Sequence, residues 1–318
     1  MALMKKPLVV IITGPTAVGK TAVSIQTALA ANGEIISADS MQIYRHMNIG
    51  TAKPSLEEQQ GVQHHLLDFL DPAQRFTVAD FQQLALEKIR EIHQRKALPI
   101  VTGGTGLYIH SLLYRLDFTD VEIDSQLRRQ LEDEAAAVGA EAMHQRLRLK
   151  DPSAAERIHP HNVKRVIRAL EVSLHAADGI QDFSRELEIN QDYDFRVFVI
   201  NEERESLYDR INQRVDVMLA QGLEAEVRHL MSLGVDVQLP AMQGVGYKEM
   251  IRYIQGKIGY EDAVKMIKRN SRRYAKRQLT WFKKLPQDQW IHLNHDVSRE
   301  AEVSRTVELI LHQLSEPS

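Results

Sequence analysis

The segment Gly14-Pro15-Thr16-Ala17-Val18-Gly19-Lys20-Thr21 matches G-x-x-x-x-G-K-[ST], a pattern suited to holding polyphosphate anions. Its glycines let successive backbone N–H groups turn inward as a nest, and a helix starting at its end adds a positive dipole. Lys20 brings a point charge to terminal phosphates, and the Thr21 hydroxyl suits Mg2+. Two further segments carry groups for the same crevice. Asp39, in "SADSMQIYR", is a metal ligand, a general base or the cap of the next turn. Thr105, in "GGTGLY", follows a second glycine-rich turn and faces that crevice. The stretch "HHLLD", 64 to 68, reads as loop structure near the site, because no further ligand cluster supports zinc.

These groups need a scaffold that brings three strand ends together. "LVVIIT" (8–13) is a continuous apolar, β-branched run, the mark of a central parallel strand covered on both faces. "TAVSIQTALAA" reads as a helix ending at Asn32-Gly33, and "EIISAD" (34–39) as a second strand that Asp39 closes. A helix is predicted over 76–96, with Phe81, Leu84, Ala85, Ile89 and Ile92 at helical spacing, before a third strand, "LPIVTGG" (98–104). Alternating strands and helices with short links imply a P-loop α/β fold, a doubly wound parallel sheet. Ligands of such sheets sit at the carboxyl ends of strands, where Asp39 and Thr105 fall.

After Tyr114 the texture changes. Residues 124–176 are helical in period, with Asp151-Pro152 as an N-cap and first-turn proline, and 177–194 are polar and aperiodic. A strand returns at 195–200, followed by helices over 205–222 and 223–234. A glycine-punctuated loop, "LPAMQGVGYKEM", leads into a helix; a long helix over about 260–284, a short strand near "WIHLN" and a last helix complete the chain. The expected division is a core of 1–114 and 195–318, ending in a helical C-terminal region, interrupted by an all-helical insertion, 115–194.

Composition narrows the function classes. The 318 residues include no cysteine, which excludes disulfides, thiolate metal sites and cysteine nucleophiles, and fits a reducing cytoplasm. The net charge of −3 carries no signature of nucleic-acid binding, so any such surface is local. The apolar run near the N-terminus leads straight into the glycine loop and reads as a strand rather than a leader. No stretch approaches a membrane span of roughly 20 apolar residues, so a soluble, cytoplasmic protein is expected. One segment stands apart: "KRNSRRYAKRQLTWFKK", 268 to 284, holds eight Lys or Arg, no acid and three aromatics. That is the composition of a phosphate-backbone surface.

Together these motifs resemble the bacterial tRNA dimethylallyltransferases. "GPTAVGKT", "IISADSMQIYRHMNIGTAKP", "HHLLD", "GGTGLY", "RVIRALEV", "VGYKE" and "KRQLTWFK" run in the family's order over most of the chain, and "ADSMQIYRHMNIGTAKP" is foreign to generic P-loop kinases. The resemblance implies transfer of a five-carbon allylic group from dimethylallyl diphosphate to the exocyclic amine of the adenosine 3′ of the anticodon, in tRNAs reading codons that begin with U. It implies Asp39 as general base, Thr16 and Thr105 beside the diphosphate and the reacting amine, and Gly14, Ala17, Gly19, Lys20, Thr21 and Arg214 around the diphosphate, with Mg2+ at Thr21. It assigns tRNA contact to Asp39, Ser40, Met41 and Gln42, to Lys164, Arg165 and Arg168 on an insertion helix, to the Met242–Tyr247 stretch with Gly244, Gly246 and Tyr247, and to Lys276, Arg277, Gln278, Trp281 and Lys283. The insertion would then grip the anticodon stem-loop, one tRNA per monomer.

Two departures stand out. Lys164-Arg165 replaces the glutamine-arginine expected before "RALEV", and with no cysteine no zinc finger of the eukaryotic relatives' kind is expected. Two other readings stay open: a small-molecule kinase using ATP in the same loop, and a nucleotide-gated RNA-binding protein. The kinase reading leaves the cationic stripe and the insertion unexplained, and the binding-protein reading leaves Asp39 idle.

Overall fold

The computed structural model describes residues 6–114, 125–175, 188–285, 289–294 and 297–316. The apolar run at the start forms β1 (Leu8–Thr13), whose last five residues are all buried. It is followed by α1 (Lys20–Ala30), β2 (Gly33–Ser37), β3 (His64–His65), α2 (Val78–Gln94), β4 (Leu98–Gly103) and α3 (Gly106–Leu113). Helix α2 begins with a capping box: Thr77 accepts from the Asp80 amide while the Asp80 carboxylate accepts from the Thr77 amide, so two terminal donors are satisfied reciprocally. Its face of Phe81, Ala85, Ile89 and Ile92 is buried, and Leu84 stays half-buried at the margin.

Tyr114–Ile189 form a compact unit of their own, while the residues up to Leu113 and from Asn190 onward form the other. The smaller unit contains α4 (Ser125–Val138), α5 (Ala140–Lys150), α6 (Pro152–Arg157) and α7 (Val163–His175) around Leu131, Met143, Leu147, Val166 and Leu170. Asp151 caps α6 by accepting from the Ala154 amide at 2.9 Å. Most of the aperiodic stretch 177–194 lies outside the described residues.

The larger unit resumes with β5 (Asp194–Asn201), α8 (Arg204–Ala220) and α9 (Leu223–Ser232). A short 3-10 turn (Pro240–Gln243) leads to α10 (Tyr247–Ile254), α11 (Tyr260–Phe282), β6 (Trp290–His292) and α12 (Arg299–Ser315). The described strands form one parallel sheet in the order β3-β2-β4-β1-β5-β6. With β1 and β4 central, the ends of β1, β2 and β4 converge on the glycine loop. Among the described residues no helix is long and apolar enough to cross a membrane.

Two expectations are corrected. Strand β2 ends at Ser37, so Asp39 sits in the following turn rather than closing the strand. "HHLLD" is not all loop: His64 and His65 pair with Ile35 and Ile36, because the outer edge of β2 has backbone groups that need partners. A two-residue strand has no periodicity from which to be read.

Candidate active site

The glycine loop leaves β1 under tight constraint. Thr13 donates through its hydroxyl to the Gly103 carbonyl at 2.8 Å, joining the ends of β1 and β4. A Cβ at Gly14 would lie 2.2 Å from the Ile200 carbonyl oxygen, so only glycine lets the loop pass beside β5. Ala17 holds a left-handed φ of 67°, a backbone strain of the sort concentrated at ligand sites. Lys20 opens α1 and donates to the Pro15 carbonyl at 2.8 Å. Burial, and then the Arg214 guanidinium, pull its ammonium down to about 7, against the opposing pull of Asp39. Burial likewise pushes Arg214 below its ordinary value, and Asp39 is the first of the charges that resist this.

Asp39 uses one oxygen to build its own turn: Oδ1 accepts from the Met41 amide at 2.9 Å and the Gln42 amide at 3.3 Å. Oδ2 makes no hydrogen bond among the described residues. The capping and the catalytic readings of Asp39 are therefore compatible, one to each oxygen. Thr105 stands at the head of α3; its hydroxyl accepts from the Ser40 amide at 3.0 Å and lies 3.3 Å from the Ser40 hydroxyl. Tyr274, on α11, hydrogen-bonds to both Thr105 and Gln278, and burial raises its phenol well above the usual range, so it stays protonated.

A cavity of about 280 Å³ lies among them. Thr16, Ala17, Asp39, Arg214, Tyr274 and Arg277 line it, together with residues of the glycine-rich turn before α10. A second, wider cleft of about 1120 Å³ contains Gly19, Thr21, Arg210 and Arg299 and shares Ala17, Arg214 and Met218 with the first. Of the sequence-predicted residues, Thr16, Ala17, Asp39 and Arg214 meet in the first cavity, Gly19 and Thr21 line the second, and Gly14 and Lys20 line neither. Thr105 reaches the first through Ser40 and Tyr274.

Gln278 has a role the sequence did not disclose. It is 4 % exposed, accepts from the Thr16 amide at 2.8 Å and donates to the Gly104 carbonyl at 2.9 Å, so one side chain ties both glycine turns together. The spacing Tyr274–Gln278, two polar residues one helical turn apart on the apolar face of α11, was the available signal.

A family model described as IPP transferase matches residues 42–285. The chain belongs to the IPP transferase family. It is 52 % identical over 292 residues to a tRNA dimethylallyltransferase of Alkaliphilus oremlandii, covering 92 % of this chain and 93 % of that one. It is 50 % identical over 308 residues to a tRNA dimethylallyltransferase of Alkaliphilus metalliredigens, covering 97 % of each. A tRNA isopentenylpyrophosphate transferase from Bacillus halodurans superposes with a TM-score of 0.72 at 43 % identity, covering 98 % of this chain and 97 % of that one. A eukaryotic dimethylallyltransferase acting on tRNA superposes at 0.79 with 28 % identity, covering 97 % and 79 %.

Against this IPP transferase background the polar surface sorts into two kinds. On α11, Lys268 pairs with Asp216 at 2.7 Å and Arg272 donates to Asn212, so both serve the packing of α11 on α8. Arg269, Arg273, Lys276 and Arg277 are exposed one turn apart and form a continuous cationic edge. Lys283 is exposed, while Trp281 is half-buried, its ring 5.1 Å from His110. On α7, Lys164 and Arg165 are exposed, whereas Arg168 lies 3.3 Å from Glu171, a buried carboxylate also held by Arg128. Tyr247 is buried and donates to Glu226 at 2.7 Å. Ser40, Met41 and Gly244 line the cavity, and Gln42 donates to the Thr51 and Ala52 carbonyls at 3.1 Å.

Proposed function

We infer that this chain is a tRNA dimethylallyltransferase, moving a dimethylallyl group from dimethylallyl diphosphate to the exocyclic amine of an adenosine in the tRNA anticodon loop. The observation that carries the reading is a cavity lined by Asp39, Arg214 and Thr16 and Ala17 of the glycine loop, in a chain about half identical, nearly end to end, to enzymes of that name. We place the acceptor adenosine 3′ of the anticodon, in tRNAs reading U-starting codons, on the motif resemblance alone.

The chemistry follows from the groups present. An adenine exocyclic amine is a weak nucleophile, since its lone pair is delocalised into the ring. It needs a leaving group whose charge is stabilised and a base for its proton. The amine nitrogen bonds to the allylic C1 as the C1–O bond breaks, and the electron pair leaves on diphosphate. Loop N–H groups, Lys20 and Arg214 are preorganised for that charge. Asp39 Oδ2 takes the amine proton, while Oδ1 holds the carboxylate in place. Thr105 acts through Ser40 and Tyr274 on the wall beside Asp39.

A hard cation fits this donor set. Thr21 offers one hydroxyl at the start of α1, and no group of three His, Asp or Glu among the described residues is arranged to hold a metal. Mg2+ commonly keeps several waters and binds through few protein ligands plus substrate phosphates. Thr21 would hold it, and it would supply charge neutralisation on the departing diphosphate.

A stacked anticodon-loop base must be splayed out to enter a cavity of this kind. The exposed cations on α11 suit the tRNA backbone, as do Lys164 and Arg165 on α7. The test is transfer of label from radiolabelled dimethylallyl diphosphate to unmodified tRNA with Mg2+. Asp39→Ala lowers kcat by about 10²–10⁴ if Asp39 is the base. No transfer by the wild type, with phosphorylation of a small acceptor by ATP instead, would overturn the reading in favour of a kinase.

A further inference from the structure

Glu226, on α9, is 9 % exposed, and no chemistry described so far uses it. Its carboxylate accepts four hydrogen bonds. Oε2 takes the Asn48 amide at 2.8 Å and the Ile49 amide at 2.7 Å; Oε1 takes the Gly50 amide at 3.0 Å and the Tyr247 hydroxyl at 2.7 Å. Three successive N–H groups and a phenol converging on one buried carboxylate make an anion nest whose anion belongs to the protein. The Tyr247 oxygen in turn faces the Gly50 and Thr51 amides.

The two segments held this way are walls of the catalytic cavity. Gly50 and Thr51 line it from one side, and Gly246 and Lys248, flanking Tyr247, line it from another. The fit leaves no slack: a Cβ at Gly50 would lie 2.5–2.7 Å from the Tyr247 ring and hydroxyl. Glu249 secures the neighbouring turn, accepting from the Gly246 amide at 2.8 Å and from Asn270 on α11 at 2.7 Å. The held loop also runs back to the proposed base. Gln42 donates to the Thr51 and Ala52 carbonyls at 3.1 Å, and the Gln42 amide donates to Asp39.

We propose that Glu226 is a positioning residue for the acceptor side of the site, fixing the 48–51 loop against Tyr247 so that the cavity wall and the Asp39 turn keep one geometry. The assignment of this wall to the acceptor rests on the prenyl-transfer reading. The clamp itself does not. A neutral amide at 226 turns one acceptor into a donor facing backbone N–H groups, so Glu226→Gln opens the clamp while barely changing side-chain volume.

The experiment combines hydrogen exchange with kinetics on the full chain. In Glu226→Gln, amides 48–50 exchange faster than in wild type by about tenfold or more, while the helix α2 amides are unchanged. The value of kcat/KM for tRNA falls by about 10²-fold, the scale of a 1 Å misplacement, with KM for dimethylallyl diphosphate steady. Tyr247→Phe keeps the carboxylate and its three amide bonds but removes the phenol, and shows a smaller change in the same direction; it also serves if Glu226→Gln does not fold. Unchanged exchange at 48–50 in folded Glu226→Gln overturns the clamp; in Tyr247→Phe the deciding amide is Gly50, which shares Oε1 with the phenol, and its unchanged exchange overturns the phenol's part in it. Equal losses for both substrates, tracking only a lower melting temperature, would make Glu226 merely structural and overturn the positioning role. A wild type that transfers nothing sinks the prenyl-transfer reading, and the exchange result still decides the clamp.

Discussion

Lys20 is the residue whose protonation the fold alters most usefully. Its ammonium is drawn down to about 7, first by burial and then by Arg214. Above that pH the loop lysine is mainly neutral before an anion arrives. A diphosphate beside it favours the charged form and raises the value again. Binding inorganic diphosphate at pH 8 is therefore expected to take up a proton, and at pH 6 to take up almost none. Calorimetry in two buffers of different ionisation enthalpy measures this directly; equal heats at pH 8 would show that the lysine is already charged. The loop was legible in the sequence because each of its requirements is local: glycines, a lysine and a hydroxyl at fixed spacing between a strand and a helix. Glu226 was not legible. A single glutamate among the mixed charges of "LEAEVRHL" has no spacing that marks it, and its four donors come from segments distant in sequence.

At the scale of elements, α11 does two jobs on two faces. Its inner face joins the two glycine turns through Gln278 and packs Phe282 and Ala275 into the core. Gln278→Ala leaves the Thr16 amide and the Gly104 carbonyl without that partner. The expected cost is about 1–3 kcal/mol in a denaturation experiment, the range for an orphaned buried polar group. Affinity for diphosphate should weaken alongside, because the Thr16 amide belongs to the phosphate loop. Unchanged stability would show that water or a neighbour replaces the glutamine. Charge run and periodicity made α11 readable as a long cationic helix. The division of its cations was not readable, because Lys268 and Arg272 are claimed by Asp216 and Asn212 of α8, a pairing set by how two helices cross.

For the whole molecule, the remaining α11 cations matter through salt. Replacing Lys276 and Arg277 by glutamine should make the slope of log K for tRNA against log salt shallower by about 0.7–0.9 for each phosphate that is no longer neutralised. The same change in the α7 pair, Lys164 and Arg165, tests separately whether the helical unit binds phosphates. An unchanged slope in either variant would remove that helix from the interface. The alternation of strands and helices disclosed the parallel α/β class, and the local period disclosed the helical stretch after Tyr114. The strand order was out of reach of local pattern. Which of several equally apolar strands lies beside β1 is decided by crossover geometry over long separations.

That order has a consequence for synthesis. Strand β1 pairs with β5 along its whole length, Leu8 opposite Asp194 through Thr13 opposite Val199, while its other neighbour, β4, ends at Gly103. A growing chain can join β1 to β4 early, yet one edge of β1 stays bare until β5 leaves the ribosome roughly a hundred residues later, an interval of about 5–20 s at bacterial and slower elongation rates. During that interval the nascent protein carries an apolar strand edge open to other chains. Most of the residues made in the meantime are those of the helical unit, whose core is its own and whose folding need not wait for the sheet.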